Sequence, residues 1–339
     1  MMCHSRLPPW GKLTDEGRGK GIERITMGKT AFIFPGQGAQ YPGMGKDFFE
    51  NSEAAQEMYR SASVVTDMDV ETLCFTENEQ LNRTEYTQIA MITTELAMWK
   101  TALNAGLKAD VCAGLSLGEY AALAAAGVMD AADIFRIVRK RGIYMQNAYP
   151  SGGGMTAVLG LDGDTVDAAC AKVREATGLP VSVANYNCPG QIVITGAKEA
   201  VDQAAEACQE AGAKRCMPLN VSGPFHSALL ADAAEKLGKE LETVVLNDPQ
   251  IPYLTNVTAE PVTTKDGIKE LLAKQICSPV KWQQSVERMI ADGVDCFIEI
   301  GPGKTLAGFM KRINKDVKVY NIQTMEDLEN VVKERTVTA

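Results

Sequence analysis

Residues 109–128 read ADVCAGLSLGEYAALAAAGV, a short apolar run, a serine flanked by two glycines, and an alanine-rich stretch closed by Gly127. Alanine is the best helix former, and a glycine just past the last periodic residue is a common helix end. The stretch after Ser116 is therefore expected to be a helix, and the run before it a buried strand. A serine at such a strand-to-helix turn has its hydroxyl pushed outward, while Gly114 and Gly118 relieve the crowding of the turn. Short glycine-serine patterns also arise by chance, so Ser116 is either a nucleophile or a small residue at a tight turn until the rest of the chain decides.

Working toward the N-terminus, TAFIF (30–34) reads as another buried strand that runs into the loop PGQG. Toward the C-terminus, Asp130 is expected to cap a second helix, AADIFRIVRKRGIYMQNAY, which carries the basic run Arg136, Arg139, Lys140 and Arg141. The pattern changes at PSGGGM (150–155). From there the chain reads strand, helix, strand, strand, helix, strand as far as AKRCMPL, the order of a ferredoxin-like βαββαβ unit. Strands and helices then alternate again, with Ser278-Pro279 expected to open the helix VKWQQSVERMIADG, a strand at CFIEI and a helix after GPGKT. The expected division is a large α/β catalytic domain with a mostly parallel sheet (28–152 and 220–325), a small inserted domain (153–219) and a C-terminal tail (326–339). Residues 1–27 are expected to be a disordered leader, since they are polar, contain Gly and Pro, lack the apolar core of a signal peptide, and lead to Met27 as a plausible translation start.

Composition narrows the function classes. The chain of 339 residues is 45% hydrophobic and carries a formal charge of -9, enough for one large domain or two modest ones and the wrong sign for a nucleic-acid binder. Nine cysteines are scattered without a Cys-x-x-Cys pair, and only two histidines are present. That pattern suits a reduced cytoplasm and offers no metal site. No apolar run approaches a membrane span.

A serine needs a general base to attack a carbonyl at neutral pH. His4 lies in the leader, which leaves His226, in the Ser-, Gly- and Pro-containing loop VSGPFHSALL. Two phosphate-loop readings fail on spacing. GPGKT (301–305) would need a glycine at position 298, which is Ile298, and GQGAQYPG has Tyr41 where a dinucleotide fingerprint needs its third glycine.

FPGQGAQYPGMG, GLSLGEYAAL, RKRGIYMQ, ANYNCPGQIVITG, GPFHSALL, SPVKWQQSVERM and EIGPGKTLAGF occur in order over about residues 28 to 315. In this order and spacing the chain resembles the malonyl-CoA:acyl carrier protein transacylases. The resemblance implies an α/β-hydrolase-like core with a ferredoxin-like insert and no cofactor. It implies malonyl-CoA and phosphopantetheinylated acyl carrier protein as partners, with neither nucleic acid nor membrane, in fatty acid or polyketide synthesis. It implies Ser116 as nucleophile, His226 as general base and Arg141 as the clamp for the free carboxylate of the malonyl group. Gln37 then lies next to an oxyanion hole to which the backbone N–H of Leu117 contributes, and the backbone carbonyl of Gln275 orients the histidine in place of an acidic triad member. One departure is Leu115, where this family commonly has His before the nucleophile; it bears on pocket shape and leaves the chemistry intact.

Physical chemistry agrees with these roles. A guanidinium fork binds a carboxylate bidentately and so separates malonyl from acetyl. The Phe225-His226 pair resembles the pattern of malonyl-selective rather than methylmalonyl-selective acyltransferases, in which a bulky Phe would crowd an α-methyl group. An esterase or thioesterase shares the serine turn but hands its acyl group to water, and Arg141 and the inserted domain argue against it. An inactive binding subunit would have no need of both Ser116 and His226. An acidic carrier must be steered by local cations, for which Arg136, Arg139 and Lys140, the pair Lys214-Arg215, or Lys311, Arg312 and Lys315 are available.

Overall fold

The computed structural model describes residues 28–221 and 223–337, so the expected leader lies outside the described residues. Among the described residues ten strands form two sheets. The larger sheet contains β1 (Lys29–Phe34), β2 (Val111–Gly114), β7 (Tyr253–Leu254), β8 (Pro261–Val262), β9 (Val294–Ile300) and β10 (Lys318–Ile322), and the smaller contains β3 (Gly153–Leu159), β4 (Val181–Cys188), β5 (Gln191–Ala197) and β6 (Arg215–Pro218). The larger sheet runs β10-β9-β1-β2-β7-β8, parallel throughout except for the β7–β8 pair. Its central strands are apolar on both faces, and Ala31, Ile33 and Phe34 of β1 have no exposure, as expected of parallel strands covered on both sides. One cover is the helix Thr84–Asn104, buried over most of its length and packed against the helix Ala131–Ala148.

The smaller sheet, ordered β4-β5-β3-β6, is antiparallel throughout. Helices Gly163–Thr177 and Lys198–Glu210 pack on one face, around Val158, Val183 and Ile194. Met155, Ala157, Ala184 and Val193 on the other face join the core of the larger unit. The elements from β3 to β6 follow the order βαββαβ.

Three local expectations are corrected. Asp130 stands at the N-terminal cap position of Ala131–Ala148, but its side chain makes no capping bond. Ser278-Pro279 does not open a helix: the helix is Trp282–Ala291. The intervening chain is extended because the Val280 N–H donates to Ala184 O (2.8 Å) while Val280 O accepts from Tyr186 N–H (2.9 Å), tying the strip to β4. The segment after 325 is a helix, Met325–Val337, with Leu328 and Val331 buried. Among the described residues no helix is long and apolar enough to cross a membrane.

Candidate active site

Four strands of the larger sheet end on the same side, and the loops that follow them converge. β2 leads to Ser116, β1 to Gln37, β7 to Asn256 and β9 to the Gly301–Gly303 loop. The carboxyl edge of a parallel sheet is where such folds bring ligand-binding loops together.

The turn after β2 is sharp. Ser116 has φ 54°, in the left-handed region, a conformation that costs a non-glycine residue on the order of 1–3 kcal/mol and persists only when its surroundings impose it. A Cβ on Gly114 would overlap the Gly118 carbonyl, and one on Gly118 would overlap Phe34 O, so both glycines are required by close approach. Asn256 holds the turn from below: its Oδ1 accepts from Ser116 N–H at 2.6 Å and its Nδ2 donates to Gly114 O at 2.7 Å.

Ser116 Oγ lies 2.8 Å from His226 Nε2, and His226 Nδ1 lies 2.9 Å from Gln275 O. A carbonyl can only accept, so Nδ1 carries the proton and Nε2 is left as the acceptor for the serine hydroxyl. Burial, and after it the charge of Arg141, hold the His226 pKa down at about 4. The imidazole is neutral at physiological pH.

Arg141, from the helix Ala131–Ala148, is 1% exposed. Its Nη1 donates to Gln88 Oε1 (2.8 Å), and its Nη2 donates to Gln275 Oε1 (3.0 Å) and to Ser116 Oγ (3.1 Å). The guanidinium also sits over the Tyr120 ring, 5.6 Å from its centroid. Arg141 makes no ion pair among the described residues. Burial lowers its pKa, yet a guanidinium remains charged in a protein.

These side chains open onto a cavity of about 560 Å³ whose wall includes Gln37, Ser116, Arg141 and His226 from the larger unit and Asn185 and Val193 from the smaller sheet. Gln37 reaches the cavity, but its side chain is engaged elsewhere: Nε2 donates to Thr84 Oγ1 (3.1 Å) and Oε1 accepts from Gln88 Nε2 (3.5 Å). Leu117 is fully buried, main chain included, behind Ser116 of the cavity wall. Leu115 and Phe225 line the same cavity.

Sequence reasoning missed Gln88, Asn256 and Glu119. Glu119 carries a signal, the one charged side chain of the apolar helix GEYAALAA, whereas Gln88 stands among other polar residues in TEYTQIAMITTELAMWK and Asn256 in LTNVT carries none. Glu119 is fully buried, and burial pushes its carboxyl up to about 7 against the pull of hydrogen bonds from Gln275 and Asn256. The loop that resembled a phosphate cradle is closed by the protein itself. Glu299 accepts from Leu306 N–H (2.9 Å) and Ala307 N–H (2.8 Å), filling the helix N-terminus where an anion would sit.

A serine, a neutral histidine and a buried arginine stand within hydrogen-bonding reach on one cavity wall, an arrangement chemically capable of acyl transfer. The sequence profile of the acyl transferase domain matches residues 31–335. The chain belongs to that family. Among relatives of this acyltransferase, malonyl CoA-acyl carrier protein transacylase of Bacillus subtilis (strain 168) is 43% identical over 309 residues, covering 91% of this chain and 97% of the relative. The crystal structure of MCAT from Streptococcus pneumoniae superposes with a TM-score of 0.87 at 43% identity, over 90% of this chain and 100% of that one. A malonyl-transacylase solved in complex with its type II PKS acyl-carrier protein superposes with a TM-score of 0.87 at 39% identity, over 90% of this chain and 99% of that one.

Proposed function

We propose that this acyltransferase moves a malonyl group from malonyl-CoA to the phosphopantetheine thiol of an acyl carrier protein, in fatty acid or polyketide synthesis, through a malonyl ester of Ser116. The observation that carries the reading is Arg141, a buried cation without an ion-pair partner among the described residues, whose Nη2 stands 3.1 Å from Ser116 Oγ on the cavity wall. A buried charge calls for a counter-charge, and the free carboxylate of a malonyl thioester supplies one beside the hydroxyl that must attack it.

In the first half-reaction Ser116 Oγ attacks the thioester carbon while its proton passes to His226 Nε2. The Leu117 N–H, beside Gln37, stabilises the oxyanion. The C–S bond then breaks and the CoA sulfur leaves with the proton from His226. In the second half, the carrier thiol gives its proton to His226 and attacks the ester carbonyl, and the C–O bond breaks as Ser116 regains the proton. Gln275 O keeps the imidazole tautomer fixed throughout. Phe225 excludes an α-methyl substituent from the acyl pocket.

In this reading the larger unit (28–152 and 220–325) is α/β-hydrolase-like. The smaller (153–219) is ferredoxin-like and forms the wall along which the pantetheine arm lies. The reaction belongs in the cytoplasm, where thiols stay reduced.

Incubating the protein with radiolabelled malonyl-CoA and no carrier tests this. The expected result is about one covalent label per chain, retained on denaturation, absent in Ser116→Ala and discharged by holo-carrier protein, with parallel initial-rate lines. Intersecting lines with no covalent label would refute it.

A further inference from the structure

Gln275, like Ser116, touches both His226 and Arg141, the first through its main-chain carbonyl and the second through Oε1. Which way its side-chain amide faces therefore matters to Arg141. Gln275 Nε2 donates to Ser116 O at 2.9 Å and to Glu119 Oε2 at 2.5 Å, and these two acceptors leave Oε1 for the guanidinium. Glu119, in the first turn of the helix Gly118–Ala125, is fully buried, and the same Oε2 also accepts from Asn256 N–H at 3.2 Å. It thus stands beneath both Gln275 and the asparagine that holds the Ser116 turn.

We propose that Glu119 is a positioning residue whose carboxylate locks the Gln275 amide in the one orientation that gives Arg141 an acceptor, and so sets how well Arg141 receives a carboxylated acyl group. This rests on the proposed malonyl transfer. An ionised carboxylate can accept hydrogen bonds but not donate them, so it excludes the amide orientation rotated by half a turn. With Gln at position 119 that exclusion weakens, because an amide can also donate and Ser116 O is then the one fixed acceptor left to Gln275 Nε2 of the two. The rotated Gln275 then presents N–H to the Arg141 N–H, donor against donor, and the fork loses the anchor that aims it into the cavity. The main-chain bond from Gln275 to His226 does not depend on the amide, so base catalysis is untouched.

The test compares kcat/KM for malonyl-CoA and acetyl-CoA in wild type, Glu119→Gln and Glu119→Asp at about pH 8, where the carboxyl is ionised. Glu119→Gln lowers malonyl transfer about 10- to 100-fold, the size of one charge-assisted hydrogen bond. It changes acetyl transfer less than about threefold, and Glu119→Asp falls between it and wild type. In an Arg141→Ala background, Glu119→Gln has less than about a threefold further effect, because the residue acts through the missing guanidinium. Equal losses for both thioesters, or an undiminished loss without Arg141, would make Glu119 a fold residue only and overturn the proposal. If Glu119→Gln does not fold, Glu119→Asp decides by the same ratio. A wild type that transfers no malonyl overturns the functional reading, whereas a wild type that does so while the malonyl-to-acetyl ratio survives in Glu119→Gln overturns only the role of Glu119.

Discussion

Replacing Arg141 by alanine separates acyl selectivity from acyl transfer. The guanidinium is anchored at both ends before any substrate arrives, to Gln88 Oε1 at 2.8 Å and to Gln275 Oε1 at 3.0 Å. Truncation therefore has two consequences. It leaves two buried amide oxygens unpaired, which costs about 1–3 kcal/mol of stability each and affects every substrate alike. It also leaves the malonyl carboxylate without its cation, and losing one partner of a desolvated charge pair costs about 2–5 kcal/mol, or about 30- to 4000-fold in rate. The cavity of about 560 Å³ is partly open to solvent, which places the expected loss in the lower half of that range. Acetyl-CoA brings no carboxylate, so its transfer reports the first effect alone. The assay is kcat/KM for both thioesters in wild type, Arg141→Ala and Arg141→Lys. Malonyl transfer should fall at least about 30-fold more than acetyl transfer, and lysine, a point charge without the planar fork, should recover it in part. If both thioesters lose activity by the same factor, Arg141 maintains the shape of the site and the reasoning about charge is wrong.

The same variant alters pH dependence. His226 must be neutral to act as base and its pKa is held at about 4, so wild-type kcat/KM is expected to persist well below pH 6 and to fall as pH drops through about 4. Removing the Arg141 charge removes the second cause of that depression, so the acid limb moves up toward the ordinary histidine value of about 6.5; an unmoved limb in Arg141→Ala would exclude electrostatic coupling between them. For stability the sign is the same: between about 6.5 and 4 the unfolded chain binds a proton that the native imidazole refuses, so this group's contribution declines as pH falls through that window. For carrier docking, Arg136, Arg139 and Lys140 are poor candidates because they already face Asp133, Glu85 and Glu240. Charge reversal at the exposed Lys214-Arg215 or Lys311-Arg312 pairs should weaken transfer to carrier protein at low salt and spare acylation by malonyl-CoA, and equal effects on both half-reactions would discard the steering idea.

What the sequence made legible was local. The strand-to-helix turn at Ser116 was readable because a strand, two glycines and an alanine-rich helix are adjacent in the chain, and the βαββαβ run because its periods change at clear glycine and proline signals. The tertiary contacts were not readable. Ser278-Pro279 has the chemistry of a helix start, yet main-chain bonds to Ala184 and Tyr186 draw Val280 into an extended strip first. The residues after 325 are polar enough to pass for a tail, and only burial of Leu328 and Val331 makes them a helix with a place to dock. Gln88, Glu119 and Asn256 come from three separate parts of the chain, and nothing in their neighbours announces that they meet around Ser116 and Arg141.

The strip from Gln275 to Val280 serves two masters within a single short stretch, with Gln275 O at the imidazole and Val280 stitched to β4 of the smaller sheet. Surface loops usually drift in length as sequences diverge, because an added residue bulges harmlessly into solvent. Here an insertion or deletion would have to be absorbed between two fixed ends, by shifting either the histidine's support or the seam that holds the two units together. Between these two ends the number of residues is therefore under stronger constraint than their identity: point substitutions at Cys277 should accumulate among descendants of this chain, while changes of length should be purged.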